Sequence, residues 1–157
     1  MHSVFNGIGY NCSKVNDIIL NKKYLKTELD LDFVLIAITS ELKDYRLCFL
    51  INKVLNMGFE RTSTDYQISY SNSSTQYFSQ YHCKNYIEKD CYIIANRGIG
   101  GLLIPEMKET DYFMLLKNYL DEDDIEYILA GLKSIKEIQV ATEIFPIKLK
   151  SKENLIF

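Results

Sequence analysis

Apolar and polar positions along the chain follow two different periods, which predict β-strands and two amphipathic helices. The uninterrupted apolar run 33–38 predicts a strand covered on both faces. Alternation with a period of two predicts strands at 111–116 and 137–145. Apolar residues at helical spacing predict helices at 40–56 and 121–135.

The ends of the two helices also have recognisable signals. Ser40 is a candidate N-cap of the first helix, and Gly58 is a candidate stop. The acidic run 121–124 suits the start of the second helix, where the helix dipole is positive. The second helix is predicted to bury a stripe formed by Ile125, Ile128, Leu129, Leu132 and Ile135.

The middle of the chain predicts further strands separated by polar turns. Residues 59–70, 75–83 and 91–96 are the strand candidates, and in 75–83 the alternation places Tyr77 and Tyr81 on one face. The simplest packing is an α+β fold, with a single mixed or antiparallel sheet, both helices on one face, and a β-α-β unit at the end. We expect residues 22–157 to form one domain, and residues 1–21 to be mobile or an extension outside it.

Composition narrows the possible functions. The 157 residues carry a net charge of −3 and only three arginines, which argues against nucleic acid as a partner. Neither a run of 18 apolar residues nor a basic, apolar leader is visible, so the sequence predicts no membrane span and a cytoplasmic location.

The sequence gives little support for a metal or cofactor site. The four cysteines contain no Cys-x-x-Cys pair, and Cys48 and Cys91 fit small core residues. His82, Cys83 and Cys91 form only a partial ligand set. The acidic run 121–124 lacks the interleaved glycine of a calcium loop, so helix capping is the favoured interpretation. We therefore predict no metal and no cofactor.

The glycine-rich stretch 97–101, RGIGG, has two interpretations. Phosphate-binding loops place such glycines directly before a helix. Here an extended apolar segment follows, so a hairpin turn or bulge is favoured.

Polar residues in two segments are the candidate binding site. Asp44 and Arg46 open the first predicted helix, and Glu106, Asp111 and Tyr112 follow Pro105 at a predicted strand end. Proline suits a strand end and aspartate suits a turn, so a structural corner is the favoured interpretation. The alternative is a cleft in which these carboxylates converge and act as acid and base.

The segment 104–113, IPEMKETDYF, resembles the defining motif of the IPExxxVDY family, small uncharacterised proteins of Bacteroidetes. Ile104, Pro105, Glu106, Asp111 and Tyr112 match the motif, while Thr110 replaces its valine. The resemblance extends over roughly residues 22–157. It implies a cytoplasmic bacterial protein and brings no activity, substrate or cofactor.

Three functions remain open. The first is a non-catalytic module that self-associates or binds a protein, because the apolar tail Leu155, Ile156 and Phe157 must dock on its own core or on a partner. The second is a small polar-ligand site or enzyme using Asp44, Arg46, Glu106 and Asp111; the lack of a Ser/His/Asp set argues against catalysis without excluding it. The third is an RNA-binding sheet that uses Tyr77 and Tyr81.

Overall fold

The computed structural model of the protein describes residues 31–86, 89–118 and 121–156. The predicted extension 1–21 and the tail residue Phe157 lie outside the described residues. Within the described part, no helix combines the length and the apolar character that a membrane crossing requires.

The described residues form two α-helices, ten strands and two short 3-10 helices. The helices are α1 (Asp44–Leu55) and α2 (Glu122–Ser134), and the 3-10 helices are η1 (Pro146–Lys148) and η2 (Lys152–Leu155). The strands are β1 (Val34–Ser40), β2 (Glu60–Arg61), β3 (Tyr66–Ser69), β4 (Thr75–Phe78), β5 (Gln80–Tyr86), β6 (Lys89–Ala95), β7 (Arg97–Gly98), β8 (Gly101–Leu102), β9 (Tyr112–Lys117) and β10 (Ile138–Ile144).

Six strands form the main sheet in the order β10-β1-β9-β6-β5-β2, and every neighbouring pair is antiparallel. The predicted α+β class is therefore confirmed. The two strands of the predicted terminal β-α-β unit, β9 and β10, are not neighbours, because β1 lies between them and is antiparallel to both.

Both faces of the main sheet are covered. Ile36 and Ile38 of β1 face a core that includes buried residues of both helices. Leu35 and Ala37 face a second core, which contains residues of the β3–β4 hairpin and of the C-terminal segment. Because successive strand residues point to opposite faces, two covered faces explain why the sequence of β1 is continuously apolar.

The predicted N-cap role of Ser40 is wrong. Ser40 ends β1, where its N–H donates to Asp111 Oδ2 at 2.9 Å and its hydroxyl donates to the Glu137 carbonyl at 2.8 Å. These two bonds hold Ser40 in the sheet. Helix α1 therefore begins later, after Lys43.

The segment 75–83 is two strands instead of the single strand predicted. It breaks at Ser79, so that β4 pairs with β3 in a small sheet while β5 joins the main sheet. As a result Tyr77 is 38% exposed, whereas Tyr81 is buried in the helix-side core. An RNA platform needs both rings free, and Tyr81 offers no face on which a base could stack.

A β-bulge changes the alternation that was predicted for β10. Thr39 pairs with Val140 but Ser40 pairs with Ile138, so Gln139 is an extra residue. Ile138 and Ala141 consequently both face the helices, and Val140 is 50% exposed. In α2 the predicted stripe is buried at Ile128, Leu132 and Ile135, while Ile125 and Leu129 are only partly buried.

Candidate functional site

Asn96, directly after β6, organises the corner formed by residues 103–111. Its side chain is fully buried, and its Nδ2 donates to the carbonyls of Met107 at 2.9 Å and Thr110 at 2.8 Å. Its Oδ1 accepts the N–H of Ile104 at 2.8 Å. The backbone of the turn thus finds its buried hydrogen-bond partners in one side chain, which fixes the path of the motif.

Asp111 and Tyr112 attach the corner to the loop between β1 and α1. Asp111 accepts the Ser40 N–H, and its other carboxylate oxygen lies 3.8 Å from Arg97 Nε. The Tyr112 hydroxyl donates to the Leu42 carbonyl at 2.5 Å. Burial raises the pKa of Tyr112, and the negative charges of Asp44 and Asp111 raise it further. This phenol therefore stays protonated at neutral pH and serves as a donor.

Glu106 faces the C-terminal segment instead of Asp111. Its carboxylate accepts the Ser151 N–H at 2.8 Å and the Ser151 hydroxyl at 2.9 Å, at the start of η2. Partial burial raises the pKa of Glu106, but hydrogen bonds from Ser151 and from the backbone of Glu106 and Lys150 together outweigh it and leave that pKa below its ordinary value. Glu106 is therefore an ionised anchor for the tail.

The tail docks on the protein's own core. Leu155 is 1% exposed and belongs to the core opposite the helices, while Ile156 is partly buried. Asn154 Nδ2 donates to the Leu103 carbonyl at 2.8 Å, and the Tyr66 hydroxyl donates to the Asn154 carbonyl at 2.7 Å. Burial raises the pKa of Tyr66 to about 12, so this donor is also neutral. Leu155 is thus not available to a partner.

Asp44 and Arg46 diverge although they share one turn of α1. Asp44 Oδ1 accepts the Tyr45 N–H at 2.7 Å, and Asp44 Oδ2 lies 3.4 Å from Arg61 Nη1. The Arg46 guanidinium is instead placed 6.0 Å from the centre of the exposed Phe49 ring. Asp44 lies close enough to Tyr112 for its negative charge to raise the pKa of that phenol.

A hollow of about 270 Å³ lies beside the corner. Its lining contains Asp111 and Tyr112 of the predicted site together with Arg97, and does not include Glu106 or Arg46. The lining residues are Ser40, Glu41, Leu42, Lys43, Ala95, Arg97, Asp111 and Tyr112. It therefore offers carboxylate, guanidinium and ammonium groups around one open space.

The RGIGG stretch is a hairpin, as predicted. β7 pairs with β8, and Ile99 exchanges two backbone hydrogen bonds with Tyr77 of β4. A Cβ on Gly98 would lie 2.1 Å from the Tyr77 carbonyl oxygen, and Gly100 has a φ of 99°. The glycines therefore allow close backbone packing and a left-handed turn.

The positions of the described cysteines and of the acidic run 121–124 favour structural roles. Cys48, Cys83 and Cys91 are buried in the helix-side core, and burial raises the pKa of Cys91 well above its usual value. Asp121 occupies the N-cap position of α2. Across residues 31–86, 89–118 and 121–156, no group of three His, Cys, Asp or Glu side chains could hold a metal ion.

Strand β10 is one edge of the main sheet. Among the described strands it pairs only with β1. Val140 on this strand is 50% exposed, and Phe145 and Ile147 just after it are 58% and 52% exposed. We call the outer side of Ile138–Ile144 the β10 edge.

Sequence reasoning named Glu106, Asp111 and Tyr112 but missed Asn96, Ser151 and the β10 edge. An asparagine that ends an apolar strand just before a glycine turn was an available signal for Asn96. Ser151 and the β10 edge had no such signal, because a long-range hydrogen bond and a strand order depend on the fold.

No family model, no curated protein and no solved structure matches this chain.

Proposed function

We propose that this protein is a non-catalytic α+β module that associates with itself or with a protein partner through the β10 edge. The observation that carries the proposal is the position of β10 at the end of the sheet order, with exposed apolar side chains on it and just after it. An edge strand presents main-chain donors and acceptors to which another chain can add a strand.

We call residues 104–112 the IPE…DY corner. The contacts of its polar side chains support a structural role. Glu106 binds Ser151, Asp111 binds the Ser40 N–H, and Tyr112 binds the Leu42 carbonyl. Each side chain joins two segments that are far apart in sequence. Such bonds hold the corner in one shape and leave these groups engaged within the chain.

The experiment compares the wild-type protein with Val140→Lys, which places a charge on the β10 edge. Light scattering measures self-association, and affinity purification followed by mass spectrometry identifies any partner. We expect Val140→Lys to lose the complex and Val54→Lys, which changes a residue 42% exposed on α1, to retain it. Wild-type and Val140→Lys proteins that behave identically in both measurements would overturn the proposal.

The hollow beside Asp111 favours a second candidate function, which is binding of a small polar ligand. Arg97 is 62% exposed in its side chain and can reach a ligand carboxylate or phosphate, while Asp111 can accept from an ammonium group. A thermal shift with amino acids or phosphate that Arg97→Ala abolishes would support this function. Identical thermal midpoints with and without ligand would count against it.

We also propose that the chain is a member of the IPExxxVDY family and acts in the bacterial cytoplasm. The five matching motif residues support the assignment, and all of them lie in the segment that Asn96 organises or directly after it. An alignment of homologous chains tests the membership: shared motif residues, Asn96 and Ser151 would support it, and homologues without the motif would contradict it.

A further inference from the structure

The backbone hydrogen bonds of the main sheet show which residues of each strand point their N–H and C=O groups towards a given neighbouring strand. The Asn96 N–H donates to the Asp111 carbonyl, in step with the β6–β9 register. Main-chain groups of successive strand residues point in opposite directions. The even-numbered residues of β9 therefore direct their main-chain groups towards β1.

The same alternation continues through β1 to β10. The register partners of Tyr112 and Met114 are Ile38 and Ile36, which therefore face β9. The odd-numbered residues of β1 consequently face β10, where their register partners are Val140, Thr142 and Ile144. This leaves the N–H and C=O groups of the intervening residues, Ala141 and Glu143, directed outwards.

We propose that the occupant of the β10 edge is a second copy of this chain, paired antiparallel about a two-fold axis at Thr142. This inference rests on the proposed function and names the partner. In this register Ala141 lies opposite Glu143 of the second copy, twice by symmetry. Each such pair exchanges two N–H···O bonds, so the interface gains about four hydrogen bonds. The six-stranded sheet becomes continuous across the dimer.

The side chains fit this register. Val140, which is 50% exposed, lies opposite Ile144 of the second copy, and the two exposed Thr142 side chains lie opposite each other. Aliphatic and Thr–Thr pairs stabilise neighbouring antiparallel strands. A two-fold axis at Val140 would instead place Glu143 opposite Glu137 and draw the bulged Gln139 into the ladder. With the axis at Thr142, both outward-facing residues, Ala141 and Glu143, form hydrogen bonds to the second copy. The bulged residue Gln139 stays outside the paired segment.

The association is tested with the full-length chain by sedimentation equilibrium from about 1 to about 200 µM. Glu143→Pro removes an outward N–H and leaves the bonds between β10 and β1 intact. We expect Glu143→Pro and Val140→Lys each to weaken dimerisation at least about tenfold, and Val54→Lys to leave it unchanged. Circular dichroism of each variant checks that the fold is retained.

The register is tested by oxidative cross-linking. Opposed residues of a non-hydrogen-bonded pair have Cα atoms about 4.5 Å apart, which a disulfide can span. In a Cys12→Ser background, Thr142→Cys should form a covalent dimer with mild disulfide oxidants faster than the matched control Glu143→Cys.

Two results would overturn the inference: a monomeric wild type at the highest concentration, or a dimer indifferent to both edge variants and to Thr142→Cys. A monomer that retains a protein partner only while Val140 is unchanged would refute the second copy and leave the proposed function standing.

Discussion

Replacement of Asn96 by leucine tests whether one side chain supports the IPE…DY corner. Leucine has a similar size and neither donates nor accepts. The change removes three hydrogen bonds, to Ile104, Met107 and Thr110, from a residue that is fully buried. The Ile104 N–H and the two carbonyls then lose their partners.

The expected loss in the free energy of unfolding follows from the three backbone groups that lose their partners. Each buried backbone group that loses its partner costs about 1–3 kcal/mol, which gives about 3–9 kcal/mol in sum. Pro105, Glu106, Lys108 and Glu109 are exposed, so water can reach part of the turn after a small rearrangement. We therefore expect a loss of about 3–5 kcal/mol in the free energy of unfolding, a large share of the about 5–15 kcal/mol typical of a domain.

Urea unfolding followed by circular dichroism measures this loss. With a slope of about 2 kcal/mol per molar urea, the midpoint should fall by about 2 M. Asn72→Ala is the control, because Asn72 is exposed and its side chain bonds only to Ser74 in its own turn. Asn96→Asp is a second variant, which can accept from Ile104 but cannot donate to either carbonyl. A loss for Asn96→Leu below about 1 kcal/mol, or equal to that of Asn72→Ala, would refute the reasoning.

Three further predictions concern the tail anchor, the glycine hairpin and the buried phenol. Because the pKa of Glu106 is lower in the folded state than in the unfolded chain, its stabilisation is complete above about pH 5 and is lost as the pH falls through the folded value. Glu106→Gln should thus cost up to about 1 kcal/mol at neutral pH and progressively less as the pH falls through the folded-state pKa, as urea midpoints will show; a cost that does not change with pH would contradict this. Gly98→Ala should destabilise by about 2–3 kcal/mol, because the new methyl would meet the Tyr77 carbonyl oxygen at 2.1 Å. Asn72→Ala, in an exposed turn, serves as the control; a thermal midpoint no lower for Gly98→Ala than for this control would be inconsistent with a rigid contact. Tyr112→Phe leaves the Leu42 carbonyl without its donor and should cost about 1–2 kcal/mol in the same urea assay. Burial raises the pKa of Tyr112, so ultraviolet titration at pH 11 should show fewer ionised tyrosines in the native wild type than in the unfolded chain. If every tyrosine of the native protein is ionised at pH 11, Tyr112 is not buried as described.

Much of the secondary structure was predictable because local periodicity determines it. The strands at 111–116 and 91–96 and both helices agree with the structure to within a few residues. The errors have tertiary causes. Ser40 carries a capping side chain, but bonds to Asp111 and Glu137 keep it in the sheet. Gln139 interrupts an alternating pattern because the register with β1 shifts there.

The candidate site was predictable by residue type and not by arrangement. The sequence indicated that Glu106, Asp111 and Tyr112 mark a corner after Pro105. It could not show that Glu106 binds Ser151, 45 positions later, while Asp111 binds Ser40, 71 positions earlier. The role of Asn96 likewise depends on hydrogen bonds to Ile104, Met107 and Thr110, which form only when the turn folds over it.

The sequence by itself determined the two helices, the apolar strands and the RGIGG turn, because side-chain periodicity and glycine conformation act over a few residues. Tertiary structure decided the strand order, the separation of Tyr77 from Tyr81, the internal docking of Leu155 and the exposure of the β10 edge. These features depend on which distant segments compete for the same hydrogen-bonding edge and the same apolar face, and that competition is resolved only when the whole sheet is assembled.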